Sequence, residues 1–168
     1  MPPIAKSFVH GVDRLNYGVG RFAMYLLFAL MAVLMWSTIS KAFFHPSLWT
    51  LEMAQFVMVA YYILGGPYAM QMESHVRMDL FYAKQTPRKR AWWDAFTVFA
   101  LIFYLGVMLY GAVDSTIYAF TYNERNPTAW RPVMWPIKVI LCIGFFLMLL
   151  QSLAALIRDI ATIKGETI

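Results

Sequence analysis

The chain is poor in charge, and long parts of it carry none. Charged residues make up 14% of its 168 residues and hydrophobic residues 61%, whereas soluble domains average about 25% and about 45–50%. A helix needs about 20 apolar residues to cross a hydrocarbon core of about 30 Å. The sequence therefore predicts an all-α integral membrane protein with four transmembrane helices, forming one membrane domain over residues 1–168. Four windows of 19 or 20 residues have no charged side chain: 22–40, 53–72, 95–113 and 139–157.

Side chains that carry redox or metal chemistry are also scarce. The one cysteine, Cys142, lies inside the fourth window, so the chain has no internal disulfide and no cysteine-based metal site. The three histidines, His10, His45 and His75, lie outside the windows, whereas a haem-carrying bundle needs axial histidines within its helices. No HExxH, CxxC or glycine-rich phosphate loop is present. We therefore expect no enzyme activity and no cofactor or metal.

No ionisable residue lies in the middle of a window, although transport pathways are usually marked by such residues. Glu52 and Asp114 border windows, and Lys138 at a window end can reach the interface with its long side chain. Gln55 and Gln151 are larger polar side chains of the apolar segments, and a buried Gln more often forms an interhelical hydrogen bond than a substrate contact. These absences favour a subunit of a larger membrane assembly over a transporter that works alone.

The basic residues predict an orientation. Cytoplasmic loops carry the excess of Lys and Arg, and ten of the 14 fall on one side if both termini and the second loop are inside. Cations at helix ends set orientation and contact lipid headgroups, so the net charge of +5 does not indicate nucleic acid binding. Trp135, before the fourth window, is one of several Trp residues placed as interfacial anchors. The four basic residues assigned to the outside are Lys41, Arg125, Arg131 and Lys138.

Two further patterns concern helix packing. Apolar residues before the first window recur every three or four positions and predict an amphipathic surface helix at the amino terminus, with a loosely ordered tail as the alternative. The first window is longer than a signal-peptide core and no clear cleavage site follows, so we expect a retained first span. Gly65 and Ala69 form a small-xxx-small pair that would let a neighbouring helix approach closely; ordinary span composition is the alternative. The apolar residues of the amino-terminal pattern are Ile4, Phe8, Val12, Leu15 and Val19.

The segment over residues 65–90 reads GGPYAMQMESHVRMDLFYAKQTPRKR. It resembles the DctQ-type small membrane subunit of tripartite ATP-independent periplasmic (TRAP) transporters. The resemblance covers most of residues 52–158 in layout and is specific over the 26 residues of this segment. The positions that carry it are Glu52, Gly65 or Gly66, Ala69, His75, Val76, Arg77, Asp79, Leu80, Phe81 and the run Pro87-Arg88-Lys89-Arg90.

The resemblance implies a division of labour. In such systems a periplasmic binding protein captures an organic acid, a large polytopic subunit moves it with a sodium gradient, and the small subunit is a scaffold. It implies a bacterial inner-membrane location, and it gives the outer loops, 43–51 and 115–134, a role in docking the binding protein. Membrane lipids are further partners. The candidate subunit-interface or structural residues are Glu52, Gln55, Gly65, Ala69, His75, Arg77, Asp79, Trp135 and Lys138.

Individual roles follow as expectations. Glu52 is expected to pair with a cation or to cap a helix near the outer surface, with simple solvation at a helix start as the alternative. His75, Arg77 and Asp79 are expected to order the inner end of the second span through local hydrogen bonds. Lys138 is expected to extend towards the outer interface, with a contact to the large subunit as the alternative.

Two other functions stay open at this point. An autonomous four-helix exporter would need a membrane-embedded carboxylate to couple protons, and Glu52 at the edge of a window is a poor candidate. A membrane anchor for a redox enzyme would need histidines within the spans, which this chain lacks.

Overall fold

A computed structural model describes residues 3–45, 47–72 and 87–164, and in that part of the chain all regular structure is helical except one isolated bridge. At 1.5 Å per residue, the 41-residue first helix is about 60 Å long and the 22-residue second about 33 Å. A bilayer with its headgroups is about 40–45 Å thick, so α1 extends beyond the membrane. The helices are α1 (Pro3–Phe43), α2 (Thr50–Gln71), α3 (Pro87–Thr121) and α4 (Trp135–Lys164).

Three of the four helices contain stretches that are long and apolar enough to cross a membrane: Ala5–Phe43, Phe96–Thr121 and Trp135–Ile163. The predicted all-helical fold is confirmed, and so is the spanning capacity of the first, third and fourth windows. The second window is helical as predicted, but α2 is not among the three. Its length suffices, and its glutamine, tyrosines, glycines and proline lower its mean hydropathy.

α2 packs against both α1 and α4 through glycine contacts. A Cβ on Gly20 of α1 would collide with the ring of Tyr68 on α2, and one on Gly144 of α4 would collide with Ile63 on α2. The ring of Tyr17 also lies 5.9 Å from that of Tyr68, measured between centroids. Small residues let backbones approach closely in membrane bundles, so α1, α2 and α4 form the tightly packed part of the fold.

α3 packs against α4 and has no extensive contact with α1 or α2 in the described structure. Thr116 Oγ1 and Cys142 Sγ are 3.2 Å apart, and the rings of Phe120 and Trp135 lie 5.0 Å apart. With one neighbour, α3 leaves most of its circumference uncovered. Its exposed large apolar side chains include Phe96, Phe99, Phe103, Val107, Tyr110 and Ile117.

The amino-terminal segment corrects one expectation. Its helical character is confirmed, but it is the start of α1 rather than a separate surface helix. Val9 and Val12 are buried against Ala154 of α4, with Leu150 and Ile157 packed beside them. The stripe of this segment that faces α4 is therefore not the apolar one that the sequence pattern predicted, of which Phe8 and Leu15 are exposed.

Candidate subunit interface

One side of α2 stays uncovered in the part of the chain that the structure describes. The exposed residues on it recur at alternating spacings of four and three, which places them in one stripe along the helix. Two small residues, Gly65 and Ala69, continue the stripe between its exposed members. We call this surface the open face of α2; it consists of Leu51, Gln55, Met58, Tyr62, Gly65, Ala69 and Met72 at the helix end.

The opposite side of α2 is buried inside the chain. Ala60 and Pro67, roughly half a turn from the open face, are buried. α1 covers one flank through Tyr68, and α4 covers the other through Ile63. The open face is therefore the side of α2 that the other described helices do not reach.

Two adjacent glycines of α2 lie on different faces of the helix, one packed against α4 and the other uncovered. A Cβ on Gly66 would lie 3.1 Å from Met148 Sδ of α4, so Gly66 belongs to the internal packing. A Cβ on Gly65 would meet nothing within 4 Å. Gly65 and Ala69 are thus a small-residue pair that the fold does not use, available for close approach by another helix.

Gln55 is the polar member of the open face. Its side chain is exposed, and it lies on a segment that the sequence predicts to cross the membrane. Leaving an amide without a hydrogen-bond partner in hydrocarbon costs at most several kcal/mol, and mutational data put the cost at about 1–3 kcal/mol. The position therefore favours a protein neighbour with a donor or acceptor over lipid tails.

Glu52 is buried rather than solvated, with 5% of its surface exposed. It lies in the first turn of α2, where a carboxylate is favoured by the helix dipole. Its Oε2 atom has no hydrogen-bond partner, and the described residues give it no ion pair, so the expected pairing with a cation is not made within this part of the chain. Beside it in sequence, the hydroxyl of Thr50 donates to Ser37 Oγ at 3.2 Å and ties α2 to α1.

A polar cluster joins α1 to α4 at the predicted cytoplasmic end of the bundle. Asn16 is fully buried, and its Nδ2 donates to Gln151 Oε1 at 2.6 Å. Gln151 Nε2 donates in turn to Asp13 Oδ1 at 3.1 Å, and Arg158 forms an ion pair with the other oxygen of Asp13. The expectation that a buried Gln forms an interhelical hydrogen bond is confirmed for Gln151.

Sequence analysis missed the other members of that cluster. Asn16 follows Val9 and Val12 at helical spacing and is buried with them, along with Gly20 and Ala23. This spacing could have indicated that Asn16 is buried, because it places a polar residue in line with the apolar ones. It went unused since the segment was assigned to the membrane surface.

At the other end of the bundle, Lys138 has partners inside the chain. Its ammonium forms an ion pair with Glu124 and also donates to the backbone oxygen of Ser115 at 3.4 Å. Trp135, nearly one turn earlier, lies against Phe120 as described above. Both residues connect α4 to the end of α3, which supports a structural role for them.

Three candidates cannot be placed on this geometry. His75, Arg77 and Asp79 lie outside the described residues, so their expected hydrogen bonds stay predictions. Within the described ranges, no three His, Cys, Asp or Glu side chains are grouped where they could hold a metal ion. The described residues instead form packing surfaces between helices.

Comparison with known proteins adds a family. The family model described as "Tripartite ATP-independent periplasmic transporters, DctQ component" matches residues 30–162. The matched range contains the whole of α2 and α3, nearly all of α4 and the second part of α1. Comparison with curated proteins gives no match, and comparison with solved structures gives none either.

Proposed function

Because this chain belongs to the DctQ family, the small membrane component of TRAP transporters, we propose that it is the scaffold subunit of a binding-protein-dependent importer. The large transport subunit packs against the open face of α2. The family is one of transporter components, not of enzymes. The further details proposed here are an organic acid as substrate, a sodium gradient as the driving force, and a bacterial inner membrane as the location.

The open face of α2 is the observation that carries this proposal. A side chain that faces lipid gains nothing from being small, and an amide there has no partner. On the open face, Gln55 carries an amide and Gly65 is small, so both residues suit a protein neighbour better than lipid. α2 is also the described helix without a sufficiently apolar stretch. We propose that it crosses the membrane as a fourth span, covered by α1, α4 and the large subunit.

The dimensions of the open face fit a whole transmembrane helix. From Leu51 to Met72 the rise is about 32 Å at 1.5 Å per residue, close to the thickness of the hydrocarbon core. Spacings that alternate between four and three average 3.5 residues, the repeat of left-handed helix pairs that cross at about 20°. A single helix of the partner could therefore contact the face from one membrane surface to the other.

The remaining parts of the proposal rest on charge and on the family. The distribution of Lys and Arg supports cytoplasmic termini. The outer loops, 43–51 and 115–134, then face the compartment in which a binding protein arrives. Arg77 and Asp79, beyond the described residues, are proposed to order the inner end of α2, so replacing either with Ala should lower the yield of the complex.

The test is a mild-detergent purification of the tagged chain from its native membrane, with mass spectrometry of the proteins that accompany it. We expect one much larger polytopic protein in stoichiometric amount. Uptake of an organic acid by the reconstituted pair should then require sodium and a binding protein. Recovery of the chain alone, or with copies of itself, would contradict the scaffold role.

One observation favours the autonomous exporter. Glu52 is the buried carboxylate among the described residues, and one of its oxygens has no partner. A membrane-embedded carboxylate of this kind could bind a proton. Proton-coupled transport by the chain alone in liposomes, abolished by Glu52→Gln, would support that function and count against the scaffold.

A further inference from the structure

The connection between α3 and α4 is an ordered hairpin rather than a slack loop. We call residues 122–134 the outer hairpin. α3 ends where Asn123 adopts a left-handed backbone with φ 48°, and the amide of Glu124 donates back to the carbonyl of Ala119 at 3.1 Å. This is the usual way in which a left-handed residue closes the end of a helix. The chain therefore leaves α3 in a fixed direction.

Backbone hydrogen bonds hold the two arms of the outer hairpin together. The amide of Asn126 donates to Pro132 O and the amide of Met134 to Glu124 O, both at 3.0 Å. Arg125 and Val133 face each other between these bonds as an antiparallel bridge. The ion pair between Glu124 and Lys138 then fastens the hairpin to the first turn of α4.

Two arginines stand out from this frame. Side chains alternate between the faces of an extended arm, so Arg125 points away from the side on which Glu124 reaches Lys138. Arg125 and Arg131 are both exposed. Arg131 also has a left-handed backbone, with φ 51°, a conformation that costs a non-glycine residue about 1–2 kcal/mol. Trp130 beside it is 41% exposed.

The outer hairpin has a net positive surface. Its one acidic residue, Glu124, is paired with Lys138, while no carboxylate in the described structure pairs with Arg125 or Arg131. On the proposed orientation these arginines lie outside, where loops carry few cations because they oppose insertion. Two unpaired arginines on the outside are an exception to the charge distribution of the rest of the chain, in which most Lys and Arg residues are assigned to the inside. We therefore expect them to have a role other than setting the orientation.

We propose that the outer hairpin recognises an acidic surface patch on the soluble binding protein, through Arg125 and Arg131 with Trp130 as the apolar contact. Arg and Trp are the residue types enriched where protein interfaces concentrate their binding energy. Complementary charge raises the rate of encounter between partners that meet repeatedly. A rigid hairpin also loses little conformational freedom on docking. The inference rests on the proposed function, because it assumes a binding protein that arrives from outside.

The experiment uses the purified complex of this chain with its large subunit, reconstituted in liposomes. Uptake is measured against the concentration of the separately purified binding protein that supports uptake by the wild-type complex. For Arg125→Glu with Arg131→Glu, the half-saturating concentration should rise about tenfold or more while the maximal rate changes little. Salt should weaken the wild-type interaction and affect the variant much less, because its attraction is already lost.

Controls separate this inference from the scaffold role. Lys41→Glu reverses an exposed cation at the outer end of α1, outside the hairpin sequence, and should leave the half-saturating concentration within about twofold of wild type. The milder Arg125→Gln with Arg131→Gln should shift it in the same direction as the reversal. If the variants copurify with the large subunit but their concentration dependence is that of wild type, the hairpin is not the recognition surface. Failure of the wild-type chain to copurify would instead overturn the proposed function.

Discussion

Two helices of this molecule each leave one side uncovered, and the two sides differ in chemistry. The uncovered side of α3 carries large rings and aliphatic groups such as Phe99, Phe103 and Tyr110. The open face of α2 carries an amide at Gln55 and an unused glycine at Gly65. Both are exposed in the isolated chain, so exposure alone does not separate them.

The difference indicates what each side is built to face. Large apolar side chains suit lipid tails, which fill space without demanding a fixed shape. An amide is an advantage only next to a neighbour with polar groups of its own. An unused glycine does not by itself separate the two sides, because an added Cβ on Gly111 of α3 also meets nothing within 4 Å. We therefore assign the side of α3 to lipid and the open face of α2 to protein.

The largest expected effect tests the glycine of the open face. Gly65→Leu should cut the amount of copurified large subunit about tenfold or more, because a bulky side chain would keep the partner helix away from α2. The matched control is Gly111→Leu on α3, where an added Cβ likewise meets nothing within 4 Å. Copurification of the large subunit is measured on equal amounts of tagged chain. Loss of the large subunit with the α3 variant and not with the α2 variant would contradict the assignment of the open face to protein.

A smaller effect is expected for the amide. Gln55→Leu would remove the proposed interhelical hydrogen bond, a kind worth about 0.6–1.7 kcal/mol in membrane proteins, so affinity for the large subunit should fall about 3- to 18-fold. The thermal stability of the isolated chain should be unchanged or higher, since the amide has no role inside it. An equal loss of affinity on replacing Met58 with Leu would show that the amide is not the reason.

An internal amide should behave in the opposite way. Gln151→Leu removes the hydrogen-bond partner of Asn16 and one of the two α4 partners of Asp13, which keeps its ion pair with Arg158. This should lower the stability of the chain by about 1 kcal/mol. Thermal unfolding in detergent should show this as a lower midpoint, with copurification of the large subunit preserved. A variant that unfolds like wild type but no longer binds its partner would place Gln151 at the interface.

The smallest effect is expected at the outer ion pair. Glu124→Gln removes the pairing with Lys138, whose carboxylate partner is 36% exposed. Partly exposed ion pairs contribute about 0–1 kcal/mol, so the thermal midpoint should shift by no more than a few degrees. Proteolysis within the outer hairpin is the more sensitive readout, because its attachment to α4 is loosened. Unaltered cleavage would show that the backbone hydrogen bonds are sufficient to hold the hairpin without the ion pair.

Features that depend on local composition could be predicted from the sequence. The absence of charge located all four helices, and the small pair of Gly65 and Ala69 was singled out before its position on the open face was known. Both are properties of one segment read by itself. The spanning capacity of α2 is not confirmed by its mean hydropathy and stays a prediction, because freedom from charge is the weaker criterion.

Features that depend on which helices meet could not be predicted in the same way. Asn16 and Gln151 are 135 residues apart in sequence, and no local pattern pairs them. The burial of Glu52 was missed for the same reason, since a carboxylate at the edge of an apolar window looks solvated until the packing of the helices is known. Assigning the amino-terminal segment to the membrane surface failed because α4 was not known to be beside it.

Site-specific photocrosslinking in native membranes tests the central claim most directly. A photoreactive residue replaces Met58 on the open face in one variant and Phe103 on the uncovered side of α3 in the other. We expect the first to give a product that contains a much larger polytopic protein, and the second to give lipid adducts. Crosslinks to that protein from Phe103 and none from Met58 would contradict the assignment of the open face of α2 as the subunit interface.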